Sequence, residues 1–506
     1  MVQKIMESDN LSFTYKDSSE GIKDINFEIN KGEVILLTGN SGCGKSTLLK
    51  CLNGLIPAIT EGTLKGELFI NDKNYTGLKM HELNREIGSV FQNPRSQFFT
   101  DNTTSELVFP MENYGFTKAQ MQEKLALLVK TFGLEKLMDK NIFILSSGER
   151  QMIALASALT MNQHVVLFDE PSANLDYGNA MRLGQIISWL KKSGITVIVA
   201  DHRFYYLNNL IDRVFFMEKG NLHIYNSEHA FKKSGYDTRS FDIFSLDVPF
   251  SKPIDNSKNN VCASMKDVSF KNILSGVNLE LNKGEVTVLV GNNGAGKTTL
   301  AKLLCKSLKP DRGTVKTEGL PFFIMQDPDY QLFGTSAENE LSLVKKDSAK
   351  IDEVLNYLGL AEYKEAHPFE LSGGQKQRLQ IGMAMLCDRD LIIFDEPTSG
   401  LDVSSMQKVS NEVVSLREKS GILVISHDYE FIRHVANRIV YLNDGKIEKD
   451  FVLSSQTLGE LNEIFNKMSL QSKNPLKNEP KGRFRIIERT AQRQAVLADL
   501  NTKRSV

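Results

Sequence analysis

Short, unbroken apolar runs recur along the chain at 34–38, 165–168, 196–200, 286–290, 391–394 and 422–426. They are mostly Val, Ile, Leu and Phe without polar alternation, which predicts strands buried on both faces of a parallel sheet. Longer stretches with apolar residues at helical spacing lie between them, at 122–132, 150–160 and 406–419, and predict helices. Alternating strand and helix implies an α/β fold with right-handed crossovers and a ligand at the carboxyl ends of the strands.

The polar residues at the ends of those runs occur twice, in the same order. The first set is Gly39-Asn40-Ser41-Gly42-Cys43-Gly44-Lys45-Ser46-Thr47, then Gln92, Ser146-Ser147-Gly148, Asp169-Glu170, Leu175-Asp176 and His202. The second is Gly291-Asn292-Asn293-Gly294-Ala295-Gly296-Lys297-Thr298-Thr299, then Gln326, Ser372-Gly373-Gly374, Asp395-Glu396, Leu401-Asp402 and His427. The offset is 252 residues at the glycine-rich loop (291 − 39), 226 at the acidic pair (395 − 169) and 225 at the histidine (427 − 202). The rear portions are therefore near gap-free duplicates, and the front of the second half is shorter. Residues 71–86 have no counterpart there, so its antiparallel β layer is expected to be trimmed. So long a period means duplicated domains, not a solenoid. The expected division is 1–232, a linker at 233–260, 261–470, and a tail at 471–506. The linker mixes Asp, Asn, Ser and Pro with aromatics and is expected to lie on the first half. The tail carries nine Lys/Arg against three acids after Ser472 and reads as a solvated end.

At 506 residues the chain is too long for one core. With 61 Lys+Arg against 62 Asp+Glu, no global field draws it to nucleic acid or anionic lipid. The five cysteines are dispersed without metal-ligand spacing, as reduced thiols in a cytosolic protein would be, which argues against zinc or an iron–sulfur cluster. No apolar run approaches the roughly 20 residues of a membrane span. The N-terminus reaches a strand-like segment without an apolar signal region. Membrane association is therefore expected only through a partner.

In each glycine-rich loop the backbone N–H groups can converge on a phosphate chain, with the positive end of the following helix behind them. Lys45 and Lys297 suit β/γ oxygens; Ser46 and Thr298 offer a hydroxyl to Mg²⁺. Cys43 reads as a small filler. Asp169 and Asp395 end apolar strands and suit Mg²⁺ through water. Glu170 and Glu396 are placed to polarise an attacking water. Gln92 and Gln326 would complete the metal or water shell, and His202 and His427 would contact the γ-phosphate. Ser146 and Ser372 open helices, where serine and glycine make a further anion site.

Together these elements resemble the ATP-binding cassette (ABC) ATPases over nearly all of residues 1–450: Walker A, Q-loop, signature, Walker B glutamate, Leu-Asp loop and switch histidine. The resemblance implies two duplicated P-loop NTPase domains, each with a mainly parallel sheet, an antiparallel β layer and a helical signature subdomain, using ATP and Mg²⁺. It also implies head-to-tail pairing. Lys45, Ser46, Gln92, Asp169, Glu170 and His202 would work with Ser372, Gly373 and Gly374. Lys297, Thr298, Gln326, Asp395, Glu396 and His427 would work with Ser146 and Gly148. Tyr15 matches the aromatic that stacks on adenine, whereas the second half offers Asn272 nearby. Ser147 replaces a signature glycine, so at most a modest loss is expected at the site it completes, and both sites are expected to hydrolyse ATP. A narrower resemblance lies in Gln92-Asn-Pro-Arg-Ser-Gln97-Phe-Phe and Gln326-Asp-Pro-Asp-Tyr-Gln331-Leu-Phe. This is similar to the glutamine-bearing helix of the ATPases of energy-coupling factor (ECF) transporters, which power vitamin and transition-metal uptake. It implies a transmembrane coupling subunit, a small substrate-binding membrane subunit, and a place on the cytoplasmic face of the membrane. The alternative is a tandem ABC protein acting on ribosomes or translation. Such relatives carry a long charged linker or a cysteine-rich domain, and neither is in this sequence.

Overall fold

The computed structural model describes residues 3–16, 20–76, 78–92, 96–161, 163–251 and 260–471. These fall into two compact units, one of residues up to 175 with 180–236, the other of 176–179 with 237–471.

The first unit contains strands β1 (Lys4–Tyr15), β2 (Gly21–Asn30), β3 (Val34–Thr38), β4 (Gly62–Ile70), β5 (Lys73–Asn74), β6 (Ile87–Val90), β7 (Val165–Asp169), β8 (Thr196–Ala200), β9 (Arg213–Glu218) and β10 (Asn221–Tyr225). They form an antiparallel sheet ordered β2-β1-β4-β5 and a sheet ordered β10-β9-β3-β8-β7-β6. In the latter only the β9–β10 pair is antiparallel. The second unit contains β11 (Val261–Phe270), β12 (Leu274–Asn282), β13 (Val286–Val290), β14 (Arg312–Thr317), β15 (Phe322–Ile324), β16 (Leu391–Asp395), β17 (Gly421–Ile425), β18 (Arg438–Asn443) and β19 (Lys446–Val452). Its large sheet, β15-β16-β17-β13-β18-β19, repeats the order of the first, while its antiparallel layer has three strands, β12-β11-β14. The trimmed layer is thus present: β5 lies within the 71–86 stretch that the second half lacks.

The duplication extends to individual positions. Ile5, Met6, Ser8, Leu11 and Phe13 are buried along β1 in the same pattern as Cys262, Ala263, Met265, Val268 and Phe270 along β11. All five residues of β3, and all five of β13, are buried, each large aliphatic contributing about 1.5–3 kcal/mol relative to exposure. All five cysteines are free thiols.

Local chemistry shifts several boundaries from those read in the sequence. The helix expected at 406–419 runs Val403–Leu416, because the Asp402 carboxylate accepts from the Ser405 amide and starts it earlier. The helix expected from 122 begins at Lys118, behind a Thr117–Gln120 capping box, and stops at Gly133 in a left-handed conformation.

The expectation that the linker lies on the first half is overturned. Tyr236 stacks on Phe216 at 3.9 Å, but from Asp237 the chain belongs to the second unit. There Phe244 packs edge-on to Tyr429 and the Arg433 guanidinium lies 4.6 Å over the Phe250 ring. Arg433 Nη2 also donates to the Val248 carbonyl at 2.6 Å, so paired charge and ring contacts fix the segment. Residues 252–259 of the linker and 472–506 of the basic tail lie outside the described residues. Among the described residues no helix is long and apolar enough to cross a membrane.

Candidate functional site

Each glycine-rich loop leaves a fully buried strand and enters a helix, Lys45–Leu52 after β3 and Lys297–Leu304 after β13. Gly44 (φ 109°) and Gly296 (φ 103°) stand at the helix N-caps in the left-handed region that glycine tolerates. A Cβ at Gly39 would fall 2.2 Å from the Met217 carbonyl oxygen, and one at Gly291 2.3 Å from that of Leu442, so both loops run against a neighbouring strand. The lysines are buried. Lys45 Nζ donates to the carbonyls of Gly39 (2.9 Å) and Asn40 (3.1 Å); Lys297 Nζ donates to those of Gly291 (2.7 Å) and Asn292 (3.0 Å). Burial holds Lys297 below the usual lysine range, opposed first by the charge of Glu396. Cys43 is buried with Sγ 3.8 Å from Lys45 Nζ, and burial pushes its thiol up, as suits a filler.

The carboxyl ends of β7 and β16 bring the acids to these loops. Ser46 Oγ donates to Asp169 Oδ1 at 3.3 Å, and Thr298 Oγ1 to Asp395 Oδ2 at 2.9 Å. Burial raises both acids. Asp395 is pushed to about 6 by burial and then by the adjacent Glu396, with Thr298 opposing. The glutamates that follow occupy the left-handed region, Glu170 at φ 45° and Glu396 at φ 52°, a conformation that costs a non-glycine residue about 1–3 kcal/mol. Each is held there by its amide, which donates to the last carbonyl of the adjacent strand: Ala200 of β8 at 2.7 Å, Ile425 of β17 at 2.9 Å. The histidine follows two residues after that carbonyl. His427 Nδ1 lies 2.6 Å from Glu396 Oε1, and His202 Nε2 lies 3.6 Å from Glu170 Oε1. In the first half Gln92 Nε2 also donates to Glu170 Oε2 at 2.6 Å. Gln326, exposed, follows β15 as Gln92 follows β6. Lysine, hydroxyl, paired acids and histidine thus come together within each unit.

Ser146 and Ser372 are N-caps with full capping boxes, partnered by Glu149 and Gln375 at the third helical position. The sequence reading missed Glu149, which puts a carboxylate 2.8 Å from Ser146 Oγ, where the second half has a neutral amide. Nothing lies within 4 Å of a Cβ built at Gly373 or Gly374, so that face is open to an incoming ligand. The Ser147 side chain lies outside the described residues. Tyr15, at the end of β1, bonds through its hydroxyl to Thr47 Oγ1 at 2.8 Å, at the first turn of the loop helix. β11 ends at Phe270, and Asn272 follows it in a turn.

The second glutamines are not borne on an extended helix; they brace their own loops. Gln97 accepts from the Phe91 amide at 3.2 Å and donates to the Ser89 carbonyl at 3.1 Å. Gln331 accepts from the Met325 amide at 2.9 Å and donates to the Phe323 carbonyl at 2.9 Å. Asn93–Arg95 lie outside the described residues. Buried Glu106 accepts from the Phe99 (3.0 Å) and Thr100 (2.9 Å) amides, and buried Glu340 from those of Phe333 (2.8 Å) and Gly334. Phe99 and Phe333 are left 78% and 79% exposed.

One further pair went unread. Asp201 precedes its histidine and accepts from the His202, Arg203 and Ser172 amides and from Tyr206 Oη at 2.7 Å. In the second half the buried acid follows the histidine as Asp428, accepting from Thr398 Oγ1 at 2.8 Å. The signal was the exchange of Asp-His-Arg for Ser-His-Asp between the two copies.

Comparison with known proteins agrees with this geometry. The ABC transporter family model matches residues 22–173 and 274–399. A protein of Treponema denticola, provisionally named an ABC transporter ATP-binding protein, is 40% identical over 476 residues, covering 88% of this chain and 96% of its own. A Bacillus subtilis protein, provisionally named the HMP/thiamine import ATP-binding protein YkoD, is 29% identical over 87% of this chain and 90% of its own. Among solved structures, RNase-L inhibitor superposes with a TM-score of 0.64 at 23% identity, covering 90% of this chain and 93% of that one. The archaeal ribosome recycling factor aABCE1, solved with ribosomal stalk protein aP1, gives 0.63 at 23% identity over 90% and 92%. At that identity the likeness concerns the fold alone.

Proposed function

The chain belongs to the ABC transporter family and is a tandem-cassette ATPase, and from that premise we propose that it drives an ECF-type importer for a vitamin or transition-metal ion. It would sit on the cytoplasmic face of the membrane, bound to a transmembrane coupling subunit that carries a small substrate-binding membrane subunit. The name of the Bacillus subtilis relative points the same way, toward import of a small vitamin-like solute.

The proposed chemistry follows from the residues. Each glycine-rich loop wraps the ATP phosphates with backbone N–H groups, and Lys45 or Lys297 turns its ammonium from loop carbonyls to β/γ oxygens. Tyr15 packs the adenine of the first site. The hydroxyl–carboxylate pairs Ser46–Asp169 and Thr298–Asp395 are all-oxygen sets that would fit Mg²⁺, and Gln92 and Gln326 would complete the metal or water shell. When bound, such an ion would offset the charge of the phosphate chain. Glu170 and Glu396 accept hydrogen bonds from the attacking water and polarise it, while His202 and His427 fix those carboxylates and contact the γ-phosphate. In the working cycle the signature of each half, Ser146-Ser147-Gly148 or Ser372-Gly373-Gly374, closes over the nucleotide of the other. Glu149 makes one lid more acidic than the other, so turnover at the two sites is unequal.

The observation that carries the importer reading is the pair Phe99 and Phe333. A large ring exposed at the same place in both copies, on a loop braced by a buried glutamate and a glutamine, suits a docking point for an apolar partner element. In the first half the loop begins at Gln92, whose amide donates to Glu170, so partner movement there would reach the water-polarising glutamate directly. An affinity pull-down of the intact chain from detergent-solubilised membranes tests this. A multispanning protein with a small hydrophobic companion should be recovered, and lost from the Phe99→Ala/Phe333→Ala chain. Recovery of ribosomal subunits would establish the alternative.

A further inference from the structure

The two copies secure the switch histidine by different means. In the first unit Asp201 accepts from groups of its own cassette: Tyr206 Oη at 2.7 Å and the amides of His202, Arg203 and Ser172. In the second, Asp428 ties the turn after Glu396 to the turn after His427, accepting from Thr398 Oγ1 at 2.8 Å. It is met by a cation from the linker: Arg239 Nη1 and Nη2 donate to Asp428 Oδ1 (3.1 Å) and Oδ2 (2.7 Å), and Nη1 also to Glu430 Oε2 (2.7 Å). The side chains of Arg239, Asp428 and Glu430 are 2%, 3% and 8% exposed. Glu430 further accepts from the Ser240 amide. A fork that grips two buried carboxylates fixes the orientation of both, and removing it leaves two uncompensated charges in the interior.

We propose that Arg239 is a positioning residue of the second ATP site: through Asp428 and Thr398 it holds His427 and Glu396 in register, so that hydrolysis there depends on linker docking while the first site does not. The inference rests on the assignment of Glu396 and His427 made above. Linker seating becomes a second input to cassette two, separate from anything delivered at the Phe333 loop.

The test uses the full chain with Arg239→Gln, alongside Arg239→Lys, which keeps the charge but cannot fork across both acids. Steady-state ATPase, ATP affinity and amide hydrogen exchange are read together. The expected result is a several-fold fall in kcat with KM for ATP within about twofold, since the phosphate loop is untouched. Exchange should quicken at 396–400 and 426–432 and stay unchanged at 170–174 and 200–204, with Arg239→Lys intermediate in both readouts. Unchanged kcat would overturn the proposal. So would faster exchange spread evenly over the second unit, the mark of a general fold clamp. If Arg239→Gln does not fold, the Lys variant decides on the same criteria. The assignment of the bases stands or falls separately, on whether Glu170→Gln with Glu396→Gln abolishes turnover.

Discussion

At the residue scale, the acidic pair is where function works against stability. Burial raises Asp395 to about 6, so the folded chain holds this proton more tightly than the unfolded chain does. For this group, stability is therefore gained as pH falls through about 6 and lost above it, while the proposed Mg²⁺ role needs the ionised form. Asp395→Asn should raise Tm at pH 7.5, by about 2–4 °C, and remove Mg²⁺-dependent hydrolysis at the second site. A lowered Tm by differential scanning fluorimetry would contradict that burial argument. In the wild-type chain, Mg²⁺–ATP affinity should weaken as pH drops below about 6, as a titration by fluorescent nucleotide displacement would record. Loss of the proposed bases reads differently. Glu170→Gln with Glu396→Gln should keep ATP binding and lower kcat by about 10²–10⁴, and wild-type turnover would refute those roles. Most of this was legible before the fold: strand, loop and helix order put Lys45, Asp169, Glu170 and His202 at one rim. The left-handed φ of Glu170 and Glu396 was not, because it depends on a bond to the neighbouring strand that sequence spacing does not encode.

At the element scale, the Q-loops show what a short motif conceals. Gln97 and Gln331 looked like residues of a helix offered to a partner, yet both spend their amides on backbone groups at 89–91 and 323–325. Backbone acceptors carry no sequence signature, so an inward-facing glutamine in a turn reads like an outward one. The surface they prepare is the exposed ring two residues on. Removing the brace should loosen the loop without touching the chemistry. Gln331→Ala orphans the Met325 amide and the Phe323 carbonyl and should cost roughly 1–3 kcal/mol in urea unfolding. The linker was misread for a related reason. Its composition announced an ordered segment, but its docking partners, Asp428, Glu430 and Arg433, lie 185 to 191 residues onward. The helix boundaries, by contrast, moved only by a few residues, each traced to a capping side chain such as Asp402 or Thr117.

For the molecule as a whole, duplication is the organising fact. Two six-stranded sheets of the same order, two β layers of four and three strands, and two matches to the ABC transporter family make a chain of two cassettes, each with its own set of proposed phosphate-handling residues. The copies have diverged at the signature helices, where Glu149 of the first corresponds to Gln375 of the second, and at the switch turns, where Asp201 gives way to Asp428. The central claim is that each site is finished by the other half's signature. Counting occluded ATP on the full chain, in the Glu170→Gln/Glu396→Gln background, tests it most directly. Lys45→Ala with Ser372→Arg would place both lesions in the first site and leave a single trapped ATP per chain. Lys45→Ala with Ser146→Arg would spoil both sites and trap none. The opposite pattern, with trapping lost in the first combination and kept in the second, would mean that each cassette closes its own site and would contradict the account.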